Sequence, residues 1–79
     1  MLLMSPESAF GEILKKYRTK LGLSQERLAL ECNLDRTYIS LLERGKRQPS
    51  LGSIIALSSQ LGISASTMVK ATTDLMHED

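Results

Sequence analysis

Apolar residues recur along this chain at helical intervals. Phe10, Leu14, Tyr17 and Leu21 are spaced by four, three and four residues, which aligns them on one helical face. Ser5 can cap that helix, Pro6 suits its first position and Glu7 its positive end, so the pattern predicts a first helix over about 6–21. Lys15, Lys16, Arg18 and Lys20 fill its last turns, where cations favour the carbonyl end of the dipole. Ser24, followed by Gln25 and Glu26, caps a second helix with Leu28, Ala29 and Cys32 inward. Asn33-Leu34 forms a tight turn. Asp35 caps a third helix over about 36–44, with Ile39 and Leu42 inward and Gly45 as its stop. Lys46 to Ser50 reads as a basic loop. A fourth helix over about 51–61 turns Leu51, Ile54, Leu57, Ser58 and Leu61 inward. Ser64 caps a fifth, over about 65–75, with Met68, Val69 and Leu75 apolar, and His77-Glu78-Asp79 is a frayed end. Gly22, Gly45 and Gly62 each follow a helical run, where a left-handed residue halts a helix. Nothing alternates with period two for long enough to make a strand. The expectation is an all-α fold: a compact five-helix domain over 5–76.

Composition narrows what such a domain can do. Seventy-nine residues bury only about 60–65% of the surface the unfolded chain exposes, which leaves no room for a second domain with its own cleft. The aromatics are Phe10, Tyr17 and Tyr38 alone, so the core is aliphatic and a stacking platform for single-stranded nucleic acid is nearly excluded. Cys32 is the single cysteine and His77 the single histidine, so neither a disulfide nor a metal site is expected, and Cys32 reads as a small core residue. The methionines Met1, Met4, Met68 and Met76 cluster at the ends and read as core or interface filling. No apolar run approaches the roughly 18–20 residues that cross a bilayer. Met1-Leu2-Leu3-Met4 is too short for a signal peptide, and the expected location is the cytoplasm. Paired carboxylates, a nucleophile–base set and a Gly-rich phosphate loop are all missing, so no enzyme, cofactor or small-molecule ligand is expected.

The charge becomes informative once it is divided. Between Gly11 and Gln48, nine basic residues stand against five acidic ones, while the rest of the chain has Lys70 against four acids. A basic centre with a mildly acidic tail permits a polyanionic partner. Within that centre, Ser24 to Pro49 joins two short helices through a turn of two or three residues, and Ala29 is small where the helices must cross closely. That is the plan of a helix-turn-helix, over 24–45, whose second helix enters a DNA major groove. On a helical wheel with Arg36 at zero, Ser40 falls near about 40°, Arg44 near 80°, Thr37 near 100° and Leu41 near 140°. Ile39 and Leu42 fall on the opposite side. The outward face thus offers a bidentate donor for guanine, hydroxyls, and an apolar group that can touch a thymine methyl. It has no acid to repel phosphates. Glu43, near about 340°, lies between this face and the core and points toward the first helix and Arg18.

The residues Phe10-Gly11-Glu12, Leu14, Arg18, Gly22-Leu23-Ser24-Gln25-Glu26, Leu28-Ala29, Ile39, Leu42-Glu43-Arg44-Gly45, Pro49-Ser50-Leu51 and Leu61-Gly62-Ile63-Ser64 resemble the Cro/C1-type (XRE-like, phage-repressor-like) helix-turn-helix family. The fold this implies is lambda-repressor-like. Asn33 to Ser40 and the small size are further similar to the controller proteins of restriction–modification systems. The resemblance implies roles. Gln25 would bind a DNA phosphate and brace the recognition helix. Arg36 and Thr37 would reach base edges. Tyr38 and Ser40 would hold phosphates or flank the bases, although each also reads as an ordinary half-buried or surface residue. Arg44, Lys46 and Arg47 would grip the backbone. Leu41 stands where some relatives carry a polar base reader, which suggests methyl contact instead. Arg18 and Glu43 would form a partly buried structural ion pair, intermediate between the buried and exposed cases.

One short recognition helix reads too few base pairs for useful specificity, so a two-fold homodimer on a pseudo-palindromic operator is expected. Helices over 51–75 would supply its surface through Ile55, Ile63, Met68, Val69 and Met76; the alternative is that the fifth helix simply covers the monomer core. The leading function is a sequence-specific regulator of transcription, acting as repressor, activator or both, with double-stranded DNA as partner and RNA polymerase as a candidate further one. The competing class is an antitoxin-like or other protein-interaction module with secondary DNA binding. Against it, only three residues follow Met76.

Overall fold

Each helix of the molecule begins on a side-chain oxygen. In the computed structural model, which describes residues 4–77, the Ser5 Oγ accepts from the Ser8 N–H at 3.1 Å and opens α1, Pro6–Lys20. Ser24 accepts from the Arg27 N–H at 3.0 Å and opens α2, Gln25–Cys32. Asp35 accepts from the Thr37 N–H at 2.9 Å and opens α3, Arg36–Glu43. Ser50 accepts from the Ser53 N–H at 3.0 Å and opens α4, Leu51–Gln60, and Ser64 accepts from the Thr67 N–H at 3.0 Å and opens α5, Ala65–Met76. Such a cap contributes about 1 kcal/mol. The Ser50 cap went unpredicted, because Pro49 and the preceding charges made that residue read as loop. Among the described residues there is no strand. Met1, Glu78 and Asp79, assigned above to the chain ends, lie outside the described residues.

The stops are as local as the starts. Asn33, at φ 56°, ends α2, and the Leu34 N–H reaches back to the Ala29 carbonyl at 2.8 Å. Gly45, at φ 71°, ends α3 in the same way, with the Lys46 N–H on the Leu41 carbonyl at 2.9 Å. Asn33 thereby turns the chain within two or three positions and gives the short α2–α3 connection its shape, while Gly45 opens the longer connection to α4.

α1 packs against α3 and α5, α3 also against α2, and α4 against α2 and α5. The buried core is Phe10, Ile13, Leu14, Leu28, Ala29, Ile39, Leu42, Leu57, Leu61 and Met68. Three expectations are corrected here. Leu21 is 54% exposed, because α1 ends at Lys20 and the chain turns before the apolar face can continue. Leu51 is 72% exposed, because it shares its side of α4 with Ile55, four residues on, rather than with Leu57. Met68 is fully buried: it faces inward with Thr72, four residues on, so it belongs to the monomer core and not to an outer surface. Ile13, absent from the predicted face of α1, is buried as well, since α1 is covered by α3 and by α5.

Candidate nucleic-acid interface

The two halves of the helix-turn-helix leave one side of α3 uncovered. Arg36, Thr37, Arg44, Lys46 and Arg47 are exposed, while Ser40 and Leu41 beside them are half-buried. Ile39 and Leu42, on the far side, are fully buried. The structure thus brings the four predicted base readers onto one face and sets the predicted basic grip around the Gly45 turn, with Arg44 before it and Lys46 and Arg47 beyond it. Among the described residues, the side chains of Arg36 and Thr37 have no hydrogen-bond partner. The Arg44 Nε donates to the Ser40 carbonyl at 3.4 Å, a weak bond that lays its guanidinium back along the helix.

The one acid within α3 is turned away from this face. Glu43 accepts from the Arg18 Nε at 2.5 Å and Nη2 at 2.9 Å, a two-point fork across from α1. It also accepts from the Gln25 Nε2 at 3.0 Å, and Arg18 Nη1 donates to the Leu23 carbonyl at 2.7 Å. The side chains of Arg18 and Glu43 are only 11% and 4% exposed, so the pair sits closer to the buried case than the intermediate one expected. The hydrogen bond to Glu43 holds the Arg18 guanidinium above its ordinary range; burial opposes this, and the charge of Glu43 adds to it. Removing one partner of such a pair costs about 3–5 kcal/mol, because the other charge is left buried alone. Gln25 is therefore tied inward through one amide N–H, and its other amide hydrogen has no partner among the described residues.

Tyr38 occupies a different place from the outward face. Its hydroxyl donates to Ser53 Oγ at 3.1 Å and accepts a long bond from the Ser50 N–H at 3.4 Å. The Arg47 guanidinium lies over its ring at 5.5 Å, within reach of a cation–π contact. The half-buried reading describes Tyr38 in the free chain: it is a strut between α3 and the start of α4. Ser50 and Ser53, which complete that strut, were missed by sequence reasoning.

On the side formed by α4 and α5, Ile55 is 53% and Val69 43% exposed, with Ile63 and Met76 half-buried. Val69 and Met76 also line an open apolar cleft of about 300 Å³, together with Phe10, Pro49 and Ile54. Cys32 is half-buried and its thiol donates weakly to the Ala56 carbonyl at 3.7 Å; burial, and secondarily Glu31, push its pKa up. No group of three or more potential metal ligands occurs among the described residues, and no single helix there is long and apolar enough to cross a membrane.

Comparison with known proteins agrees with this geometry. A helix-turn-helix family profile matches residues 14–67. Control protein C.BamHI of Bacillus amyloliquefaciens is 45% identical over 65 residues, covering 81% of this chain and 80% of that protein. Control protein C.MunI of a Mycoplasma species is 48% identical over 60 residues, 75% of this chain and 81% of the other. The restriction–modification controller protein C.Esp1396I, solved as a tetramer with its natural 35 base-pair operator, superimposes with a TM-score of 0.82 at 31% identity, over 95% of this chain and 99% of that one. A profile match across most of the chain, and relatives aligned over four-fifths of their own length, place it plainly: the chain belongs to the Cro/C1-type helix-turn-helix family of DNA-binding transcriptional regulators.

Proposed function

We propose that this chain is the control protein of a restriction–modification system, a cytoplasmic homodimer that binds a pseudo-palindromic operator. The observation that carries the reading is the outward face of α3. Arg36 and Thr37 stand free there, and its one carboxylate, Glu43, is turned inward onto Arg18. Two copies would set their α3 helices about 34–36 Å apart, in successive major-groove turns. Arg36 would fork onto a guanine, Thr37 and Ser40 would meet base edges, and Leu41 a thymine methyl. Gln25, Arg44, Lys46 and Arg47 would hold phosphates. Tyr38 would join them only by exchanging its bond to Ser53.

The dimer surface in this reading is Ile55, Ile63, Val69 and Met76, with Leu51 extending the stripe on α4; Met68 is excluded by its burial. Occupancy would follow protein concentration through dimerisation and paired operator binding. Activation would require a contact with RNA polymerase, read by transcription in vitro from the bound site. The deciding experiment is selection of binding sites from random duplex DNA by the purified chain, with sedimentation alongside. The expected product is an inverted repeat bound by a dimer, with an affinity that falls steeply with salt. Recovery of unrelated sequences, or a chain that stays monomeric at high micromolar concentration, would overturn the proposal.

A further inference from the structure

We propose that Gly11 is a positioning residue for DNA reading: by letting the backbones of α1 and α3 touch, it sets the pose from which Arg36 and Thr37 reach the bases. The inference rests on α3 being the recognition helix. A Cβ on Gly11 would lie 2.4 Å from the Leu42 carbonyl oxygen, 2.7 Å from that of Glu43 and 3.0 Å from the Glu43 carbonyl carbon. All three atoms are backbone of the last turn of α3, so no side-chain rotation relieves the collision. The requirement is one of space and not of conformation, since Gly11 lies inside α1 without a positive φ. A glycine there weakens the helix relative to alanine. The close approach is what that weakness permits.

Gly11 is the middle of three supports. Three residues before it, Ser8 backs the Gly45 turn, where a Cβ at φ +71° would lie 3.0 Å from Ser8 Oγ and 3.1 Å from Ser8 Cα. Seven residues after it, Arg18 forks onto Glu43. Those intervals put the three positions on one side of α1. The C-terminal turn of α3 is thus seated along α1, whereas Arg36, some 10–12 Å away along the helix, has no side-chain hydrogen bond to any of the described residues. A methyl at position 11 must lift or tilt the seated end. The lever arm carries that displacement to the reading end, where a fork of hydrogen bonds tolerates only a few tenths of an ångström. Phosphate attraction, which tolerates much more, would survive.

The test uses the full chain with two probes: a duplex recovered by wild-type selection from a random pool, and a scrambled duplex of the same composition. Affinities are measured near 10 °C, well below melting. Gly11→Ala is expected to keep its helical spectrum and its affinity for the scrambled duplex, and to lose about 5- to 150-fold of its preference for the selected one, the worth of one base contact. An unchanged preference, with only a lower melting temperature, would make Gly11 merely structural and overturn the proposal; so would an equal loss on both duplexes. Should Gly11→Ala fail to fold, Ser8→Val, which presses on Gly45 from the edge of the same seat, carries the same expectation in weaker form. A wild-type chain with no preference among duplexes would instead remove the reading on which the inference rests.

Discussion

The two ends of α3 are built on opposite principles. At its C-terminal end, backbone touches backbone at Gly11, the Glu43 carboxylate accepts from Arg18 and Gln25, and the Gly45 turn lies against Ser8. At its N-terminal end, Asp35 caps the helix and the exposed side chains of Arg36 and Thr37 have no hydrogen-bond partner among the described residues. One end spends packing and buried charge on rigidity. The other keeps its donors unpaired, so that no internal bond must break before a base edge can be met. A long polar side chain that stays free also keeps its rotamer entropy until it binds, which weakens each contact but leaves the partner to choose the geometry. In the reading proposed above, specificity would depend as much on the end that is seated against α1 as on the end that would meet the bases.

The sharpest way to break this comparison is at the seated end. Arg18→Met should destabilise the fold by about 3–5 kcal/mol, as Glu43 would be left buried without its main partner. Denaturant titration measures it. A loss below about 1 kcal/mol would mean the pair behaves as a solvent-screened surface contact. Replacing both partners by apolar residues of similar volume, Arg18→Met with Glu43→Leu, should cost less than the single change, because no charge remains to be left alone.

The free end should answer in the opposite currency. Arg36→Ala is expected to leave the melting temperature unchanged and to cost about 1–3 kcal/mol of binding to the preferred duplex, with base preference relaxed at one position of each half-site. Fluorescence anisotropy on duplexes varied at single positions reads this out. A uniform loss over all sequences would reassign Arg36 to the phosphates. Tyr38→Phe sits between the two ends. It removes the bond to Ser53 while keeping the ring under Arg47, so it should cost about 0.5–1.5 kcal/mol of stability. Thermal melting is the check, and a variant as stable as the parent would show that the strut does not hold α4.

How much of this was legible beforehand follows the same division. Features that depend on a few neighbouring residues could be read directly. Ser5, Ser24, Asp35 and Ser64 cap because a short acceptor precedes a run of helix formers, and Gly45 stops a helix because it can turn left-handed. The outward face of α3 could be read as well, since Ile39 and Leu42 fix which side is inward. Errors came where periodicity was carried past a helix end, at Leu21, where an apolar residue opening a helix was read as inward, at Leu51, or where two faces of α5 were equally apolar, at Met68 and Val69. Choosing between those two requires knowing that α1 lies across α5, which is tertiary information. Gly11 is the extreme case. Within its own helix it registers only as a weak helix former, and its meaning lies in carbonyls some thirty residues away.

The smallest expected effect separates phosphate attraction from reading altogether. Lys46 stands exposed just beyond the Gly45 turn, outside α3 and clear of both its seated and its free end. If it neutralises one phosphate, Lys46→Ala releases one fewer counterion on binding, and the slope of log affinity against log salt should shallow by about one unit for every duplex alike. At high salt the variant and the parent would then converge, while Arg36→Ala would stay displaced at every salt concentration, because its hydrogen bonds to a base are matched by no released ion. Titrating the parent and both variants on the preferred and the scrambled duplex from low to moderate salt draws six lines. Parallel lines for Lys46→Ala and the parent would deny it a phosphate. A shallower slope seen only on the preferred duplex would make it part of the reading end, and the boundary drawn here between grip and recognition would have to move past Gly45.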